Sequence, residues 1–194
     1  YDIEKKQTIM ILDLPGTWHA VDQKGNGQKL LLVKLTGWRW REYYEWDSRI
    51  KDLTPLFGQN ENEDYNASYS AREDELIVLT PKFDDFARLY RWKKGKFTPL
   101  SPEMNDEITA FSMDRKKTKI LYQVVRQGYT ELRGFDARTY RALEIPKFKN
   151  AEHVFLGSFS ADGDKIILGV GYPQSPRVTY TYDFASRQLK NWVI

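Results

Sequence analysis

Cysteine is absent from the 194-residue sequence. That removes disulfides, thiol nucleophiles and cysteine-ligated zinc, and leaves the compartment open between cytoplasm and periplasm. Histidine is almost absent: His19 and His153 are the only two. No His-x-x-x-His pair accompanies them, and the acidic stretch Asn60-Glu61-Asn62-Glu63-Asp64 lacks the alternating ligand spacing of a calcium loop. Both histidines therefore read as surface or satisfied residues, the acidic stretch reads as a solvated linker, and neither a metal nor a cofactor is expected.

Long apolar runs are missing too. Ile9-Met10-Ile11-Leu12 and Leu30-Leu31-Leu32-Val33 fall far short of the ~18 residues that a bilayer-spanning helix needs, so no membrane partner is expected. Charge of one sign is lacking: 30 basic and 27 acidic residues are interspersed for a net +3, too balanced for the field that nucleic acid usually demands. No glycine-rich phosphate cradle or Walker lysine occurs. Gly157-Ser158-Phe159-Ser160 does not have the Gly-x-Ser-x-Gly spacing of a hydrolase elbow. Ser158 and Ser160 read as structural, and no residue of this chain is expected to be catalytic.

What is present is a repeat in a chain whose 41% hydrophobic and 14% aromatic content can build a core. Four apolar runs begin at Leu30, Leu76, Ile120 and Ile166, spaced 46, 44 and 46 residues apart, within the range of propeller blades. A second marker, an aromatic followed by a polar residue, keeps the same period independently at Trp46-Asp47, Trp92-Lys93, Phe135-Asp136 and Tyr182-Asp183. Ahead of three apolar runs stands an aromatic-Ser pair: Tyr69-Ser70, Phe111-Ser112 and Phe159-Ser160. On that alignment the segment Arg115 to Thr118 lengthens one turn by about two residues. Asn26-Gly27 and Asp162-Gly163 suit tight hairpins, because both dipeptides tolerate positive φ.

The fold class expected is all-β, a β-propeller of four four-stranded antiparallel blades, either a closed four-bladed ring or an arc of a larger propeller. Blades are placed at about 17–57, 65–101, 108–146 and 153–194, with outer strands around Leu53, Phe97, Leu143 and Leu189, and no long helix is expected. Residues 1–12, apolar from Thr8 to Leu12, read as the outer strand of a preceding blade.

Up-and-down connectivity puts the irregular connections on one rim: 36–41, 81–86, 126–129 and 171–177. Binding usually sits where loops vary on a rigid scaffold, and Trp, Tyr and Arg anchor interfaces. The candidate contact residues are Trp38, Arg39, Trp40, Phe83, Phe86, Tyr129, Tyr172 and Arg177. Singly, such aromatics also serve to cap the ends of blade cores; as a set, they read as an interface.

The ordered combination of motifs resembles the propeller domain of the prolyl oligopeptidase group of serine peptidases, the acylaminoacyl-peptidase and dipeptidyl-peptidase-like members above all. The likeness is carried by Phe86-Ala87-Arg88-Leu89-Tyr90-Arg91-Trp92 with Phe97-Thr98-Pro99-Leu100. It continues in Phe159-Ser160-Ala161-Asp162-Gly163-Asp164-Lys165, in Ser175-Pro176, and in Leu189-Lys190-Asn191-Trp192. TolB-like propellers share the aromatic-Ser-x-Asp-Gly turn. Departures stand at Pro81-Lys82-Phe83-Asp84-Asp85 and Val125-Arg126-Gln127-Gly128, where the family often carries Asp-Arg-Asp-Gly-like and Asn-Glu-Asp-Gly-like loops.

The resemblance implies a non-catalytic, substrate-gating portion of a serine peptidase, its last four blades, whose partners are a peptide substrate and a hydrolase domain of the same parent chain. The first residue is Tyr1, which fits a piece of something longer, and exposed blade faces in such a piece should make it self-associate. The alternative is a TolB-like or stand-alone propeller that serves as a protein or peptide interaction module.

Overall fold

The computed structural model describes residues 3–192. The chain divides into two compact units, 1–62 and 63–194. Among the described residues every regular element is a strand and no helix occurs.

The first unit holds one antiparallel meander of β1 (Thr17–Lys24), β2 (Lys29–Leu35), β3 (Arg41–Asp47) and β4 (Asp52–Phe57). Its apolar run Leu31, Leu32 and Val33 forms the buried centre of β2. The β1–β2 turn is built on Gly25, Asn26 and Gly27, all at positive φ, where a Cβ would be costly on two of the three. Of the segment expected as an outer strand over 1–12, residues 1 and 2 lie outside the described residues, Gln7 forms a single bridge and residues 8–12 carry no strand.

The second unit contains a four-stranded meander of β5 (Asn66–Tyr69), β6 (Leu76–Thr80), β7 (Arg88–Lys93) and β8 (Lys96–Pro99). It also contains a seven-stranded sheet of β9 (Glu107–Met113), β10 (Lys119–Arg126), β11 (Tyr129–Asp136), β12 (His153–Phe159), β13 (Lys165–Tyr172), β14 (Ser175–Asp183) and β15 (Leu189–Asn191). Three sheets thus stand where four separate blades were expected. The seven strands are two meanders, β9–β11 and β12–β15, joined by the single parallel pair Thr130 and His153. The outer strand expected around Leu143 shrinks to one bridge, Phe135 with Ala142. Pro146, three residues on, has no N–H to extend a ladder.

Strand periodicity explains the packing. On β10, Ile120, Tyr122 and Val124 face Ile77, Leu79 and Leu89 of the preceding sheet. Leu121, on the opposite face, packs with Ile166, Leu168 and Tyr182. One strand with apolar residues on both faces therefore feeds two cores.

The turns clarify the repeat. Asp47, Asp136 and Asp183 each accept the N–H two residues on, from Arg49, Arg138 and Ala185 at 2.9, 3.1 and 3.0 Å. Four residues on, Lys51, Tyr140 and Arg187 take positive φ. The aspartate of the aromatic-Asp marker is thus a turn cap. Where Lys93 replaces it, a two-residue turn of Lys94 and Gly95, both at positive φ, takes over.

The aromatic-Ser alignment needs one correction. Ser70, Asp114 and Ser160 are the equivalent residues: their N–H groups bond to the carbonyls of Glu75, Lys119 and Lys165, each five residues on. The loop at 115–118 is therefore not lengthened, and Ser112 lies inside β9. A shift of two residues preserves which face a strand side chain points to, so the pattern alone does not reveal it. Ser160 closes its loop through Oγ, which accepts the Lys165 N–H at 2.9 Å. The dipeptide after it is also simpler than expected, since only Gly163 has positive φ.

Candidate functional site

The two histidines sit inside strands of different units, His19 in β1 and His153 at the start of β12. His153 Nδ1 lies 3.2 Å from Thr130 Oγ1, beside the parallel pair. Among the described residues no group of three or more metal-ligating side chains converges.

The eight candidate contact residues are distributed over both units. In the first, Trp38, Arg39 and Trp40 occupy the β2–β3 connection, closed by Thr36 N–H donating to the Trp40 carbonyl at 3.1 Å. Trp38 is 98% exposed. Trp40 folds back on Gly37, where a Cβ would lie 2.7 Å from the ring.

In the second unit two of the connections expected to be irregular are tight. Tyr129 follows a two-residue turn of Gln127 and Gly128, both at positive φ. Tyr172 and Ser175 flank the two-residue loop Pro173–Gln174, and Arg177 is the third residue of β14. The Arg177 guanidinium lies 3.9 Å from the Phe155 ring centroid, a cation–π contact that anchors it. The Tyr172 and Tyr180 hydroxyls are 3.4 Å apart, and that hydrogen bond, with desolvation, pushes the Tyr172 phenol up to about 12.

Phe83 and Phe86 lie in the long β6–β7 connection, and here the structure builds a cleft of about 430 Å³. Phe83 lines it with Tyr90 of β7 and Phe97 of β8. The Phe83 centroid is 5.0 Å from that of Tyr90 and 5.1 Å from that of Phe97, all three rings tilted or edge-on, the arrangement that aromatic quadrupoles favour. Phe86, three residues from Phe83, is not part of the lining.

Arg88 holds this cleft in shape. Its side chain is buried, Nε donates to Asp84 Oδ2 at 2.8 Å, and Nη1 and Nη2 donate to the carbonyls of Pro102 and Met104. One guanidinium thereby ties the β6–β7 connection to the β8–β9 connection. The hydrogen bond from Arg88 Nε holds the Asp84 carboxyl below the usual carboxylate range. Burial, reinforced by the Asp84 charge, pushes the Tyr90 phenol up.

Asp84, Arg88, Tyr90, Phe97 and Glu103 were not among the sequence candidates. Period-2 reading of β7 could have found part of the set: Arg88, Tyr90 and Trp92 share one face, and Tyr90 and Trp92 pair with Pro99 and Phe97 across the hairpin. The Glu103 segment carries no such periodicity.

No family model and no curated protein matches this sequence. Solved structures do match. A prolyl endopeptidase aligns with a TM-score of 0.67 at 18% identity, over 88% of this chain and 25% of its own. Oligopeptidase B from Trypanosoma brucei aligns with a TM-score of 0.65 at 16% identity, over 90% of this chain and 27% of its own. TolB from Acinetobacter baumannii aligns with a TM-score of 0.65 at 15% identity, over 98% of this chain and 46% of its own. The chain therefore spans about a quarter of the two peptidases and under half of TolB. The likeness is one of fold: that of the propeller domains in prolyl oligopeptidase family peptidases, and of TolB.

Proposed function

We propose that this chain is the propeller portion of a prolyl-oligopeptidase-like serine peptidase, a non-catalytic gate that admits short peptides to a hydrolase domain of the same parent chain. The observation that carries this reading is the fold match to such peptidases over most of this chain and about a quarter of theirs. In this reading the four sequence repeats are four blades of a larger propeller. The filter is steric, so the module needs rigid hairpins more than reactive groups.

The test compares the 194-residue chain with its parent polypeptide. The chain alone should leave chromogenic peptide esters intact, and the parent should cleave them in a reaction blocked by a serine-directed inhibitor. Excising the propeller from the parent should let folded proteins be degraded. Inhibitor-sensitive turnover by the chain alone, or unchanged size selection after excision, refutes the proposal.

A second reading is an interaction module of the TolB kind, favoured by a match that covers 98% of this chain and by the fully exposed Trp38. A parent reading frame without a hydrolase domain would select it.

A further inference from the structure

The cleft between the β6–β7 connection and β8 offers more polar capacity than the fold uses. Tyr90 is only 5% exposed and lines the cleft, yet its hydroxyl makes no hydrogen bond among the described residues. The hydroxyl is the polar end of an otherwise buried ring and opens on the cleft. Glu103, also in the lining, is exposed, and its carboxylate has no ion pair or hydrogen bond among the described residues. Asp84 adds a second carboxylate, of which Oδ2 is held by Arg88 and Oδ1 accepts the Phe86 N–H at a long 3.4 Å. The one cation in the lining, Arg88, has its donors turned to Asp84 and to two backbone carbonyls. The Asp84 carboxylate is paired with Arg88, and the Glu103 carboxylate is left as the lining charge without a partner among the described residues, with the Lys82 ammonium beside the rings as a counter-charge.

The walls carry the other half of the argument. Phe83, Tyr90 and Phe97 supply ring faces and edges, and the Lys82 ammonium already lies 5.6 Å from the Phe83 centroid and 5.9 Å from that of Phe97. These rings therefore attract cations. Carboxylates, a free phenol and aromatic surface together suit a flat cation with many donors and an apolar stem. A guanidinium has five N–H donors in one plane and stacks on aromatic rings, whereas an ammonium is a strongly hydrated point charge. The volume, about 430 Å³, is enough for such a side chain and the adjoining backbone.

We propose that this cleft binds the side chain of an arginine in a peptide, held by Glu103, Asp84 and the Tyr90 hydroxyl against the Phe83, Tyr90 and Phe97 rings. The inference rests on the reading that the module meets peptides, and it names one class of peptide that would be retained.

The probe is the blocked tripeptide acetyl-Ala-Arg-Ala-amide, titrated calorimetrically into the chain beside its citrulline and lysine counterparts. Citrulline keeps the shape and most of the donors but loses the charge. The arginine peptide should bind about tenfold more tightly than either counterpart, and Glu103→Gln should weaken it roughly tenfold, the worth of one charge-assisted hydrogen bond. Glu103 is exposed, so this variant should keep the wild-type circular dichroism. Tyr90→Phe should weaken binding as well, with the fold checked in the same way. Equal binding of the three peptides, full affinity in Glu103→Gln, or no heat with arginine peptide at roughly 10 mM overturns the inference. Loss of size selection by the parent after excision tests the gate separately, so either proposal can fail while the other stands.

Discussion

Replacing Asp114 by alanine and by serine puts the revised repeat alignment to a quantitative test. Asp114 is fully buried. Its Oδ1 accepts the N–H groups of Thr118 and Lys119 at 2.7 and 2.5 Å, and its Oδ2 accepts the Thr118 hydroxyl at 2.9 Å. Alanine leaves two backbone donors in the turn without their acceptor. At about 1 to 1.5 kcal/mol for each of three hydrogen bonds, Asp114→Ala should cost about 3 to 4.5 kcal/mol. Serine is the residue found at the equivalent positions 70 and 160, and the Ser160 hydroxyl closes its turn onto the Lys165 N–H. Asp114→Ser should therefore keep one of the three bonds and cost about 2 to 3 kcal/mol. With an m-value of about 2 kcal/mol/M, urea midpoints should fall by roughly 1.5 to 2.3 M for alanine and by about 1 to 1.5 M for serine. Urea titrations followed by far-ultraviolet circular dichroism read both numbers, and amide exchange at Lys119 reports the local turn. Equal losses for the two variants would refute the equivalence of Ser70, Asp114 and Ser160.

Two further outcomes follow from packing and from titration. A Cβ at Gly157 would lie 2.5 Å from the Ile167 carbonyl oxygen, so Gly157→Ala forces β12 away from β13 and should cost about 1 to 3 kcal/mol; a melting temperature within a degree of wild type would contradict the steric account. Tyr140 donates to the buried Glu75 and lies 3.2 Å from Ser70 Oγ, and burial followed by the Glu75 hydrogen bond pushes its phenol up to about 12. The neutral phenol is the form favoured by the fold, so the contribution is complete below the ordinary tyrosine range near 10 and is lost as pH rises through about 12. Denaturant midpoints measured between those pH values should fall more steeply for wild type than for Tyr140→Phe, and parallel curves would refute the assignment.

Most strands were legible because a continuous apolar run recurs every 44 to 46 residues, and each such run becomes a buried inner strand. Leu30, Leu76, Ile120 and Ile166 all lie in central strands of their meanders. Turn chemistry was legible where a residue acts locally, as with Asp47 and Asp183, and misleading where two residues could fill one role, as with Ser112 and Asp114. The merging of two meanders into one sheet was not legible, because a single pairing between Thr130 and His153 leaves no periodic trace. The cleft was only half legible. Phe83 announced itself as an aromatic in a loop, whereas Tyr90 stood out only as part of the 86–92 motif and Glu103 carried no signal. Their meaning depends on Arg88, whose bonds to the Pro102 and Met104 carbonyls bring the β8–β9 connection alongside.

That lone parallel pair also bears on how the second unit comes apart. Across it, the Thr130 N–H donates to the Glu152 carbonyl at 3.0 Å, while long antiparallel ladders run on either side through β10–β11 and β12–β13. Main-chain cohesion along the sheet is therefore lowest at this point, and β9–β11 and β12–β15 are tied mainly by side chains. These are the burial around Leu121, Ile166 and Leu168, the Leu156 N–H donating to Gln123 Oε1, and Lys119 Nζ donating to the Gly163 carbonyl. The seven strands are continuous by hydrogen bonding but bipartite in cooperativity, with a perforation line where sub-global opening should begin.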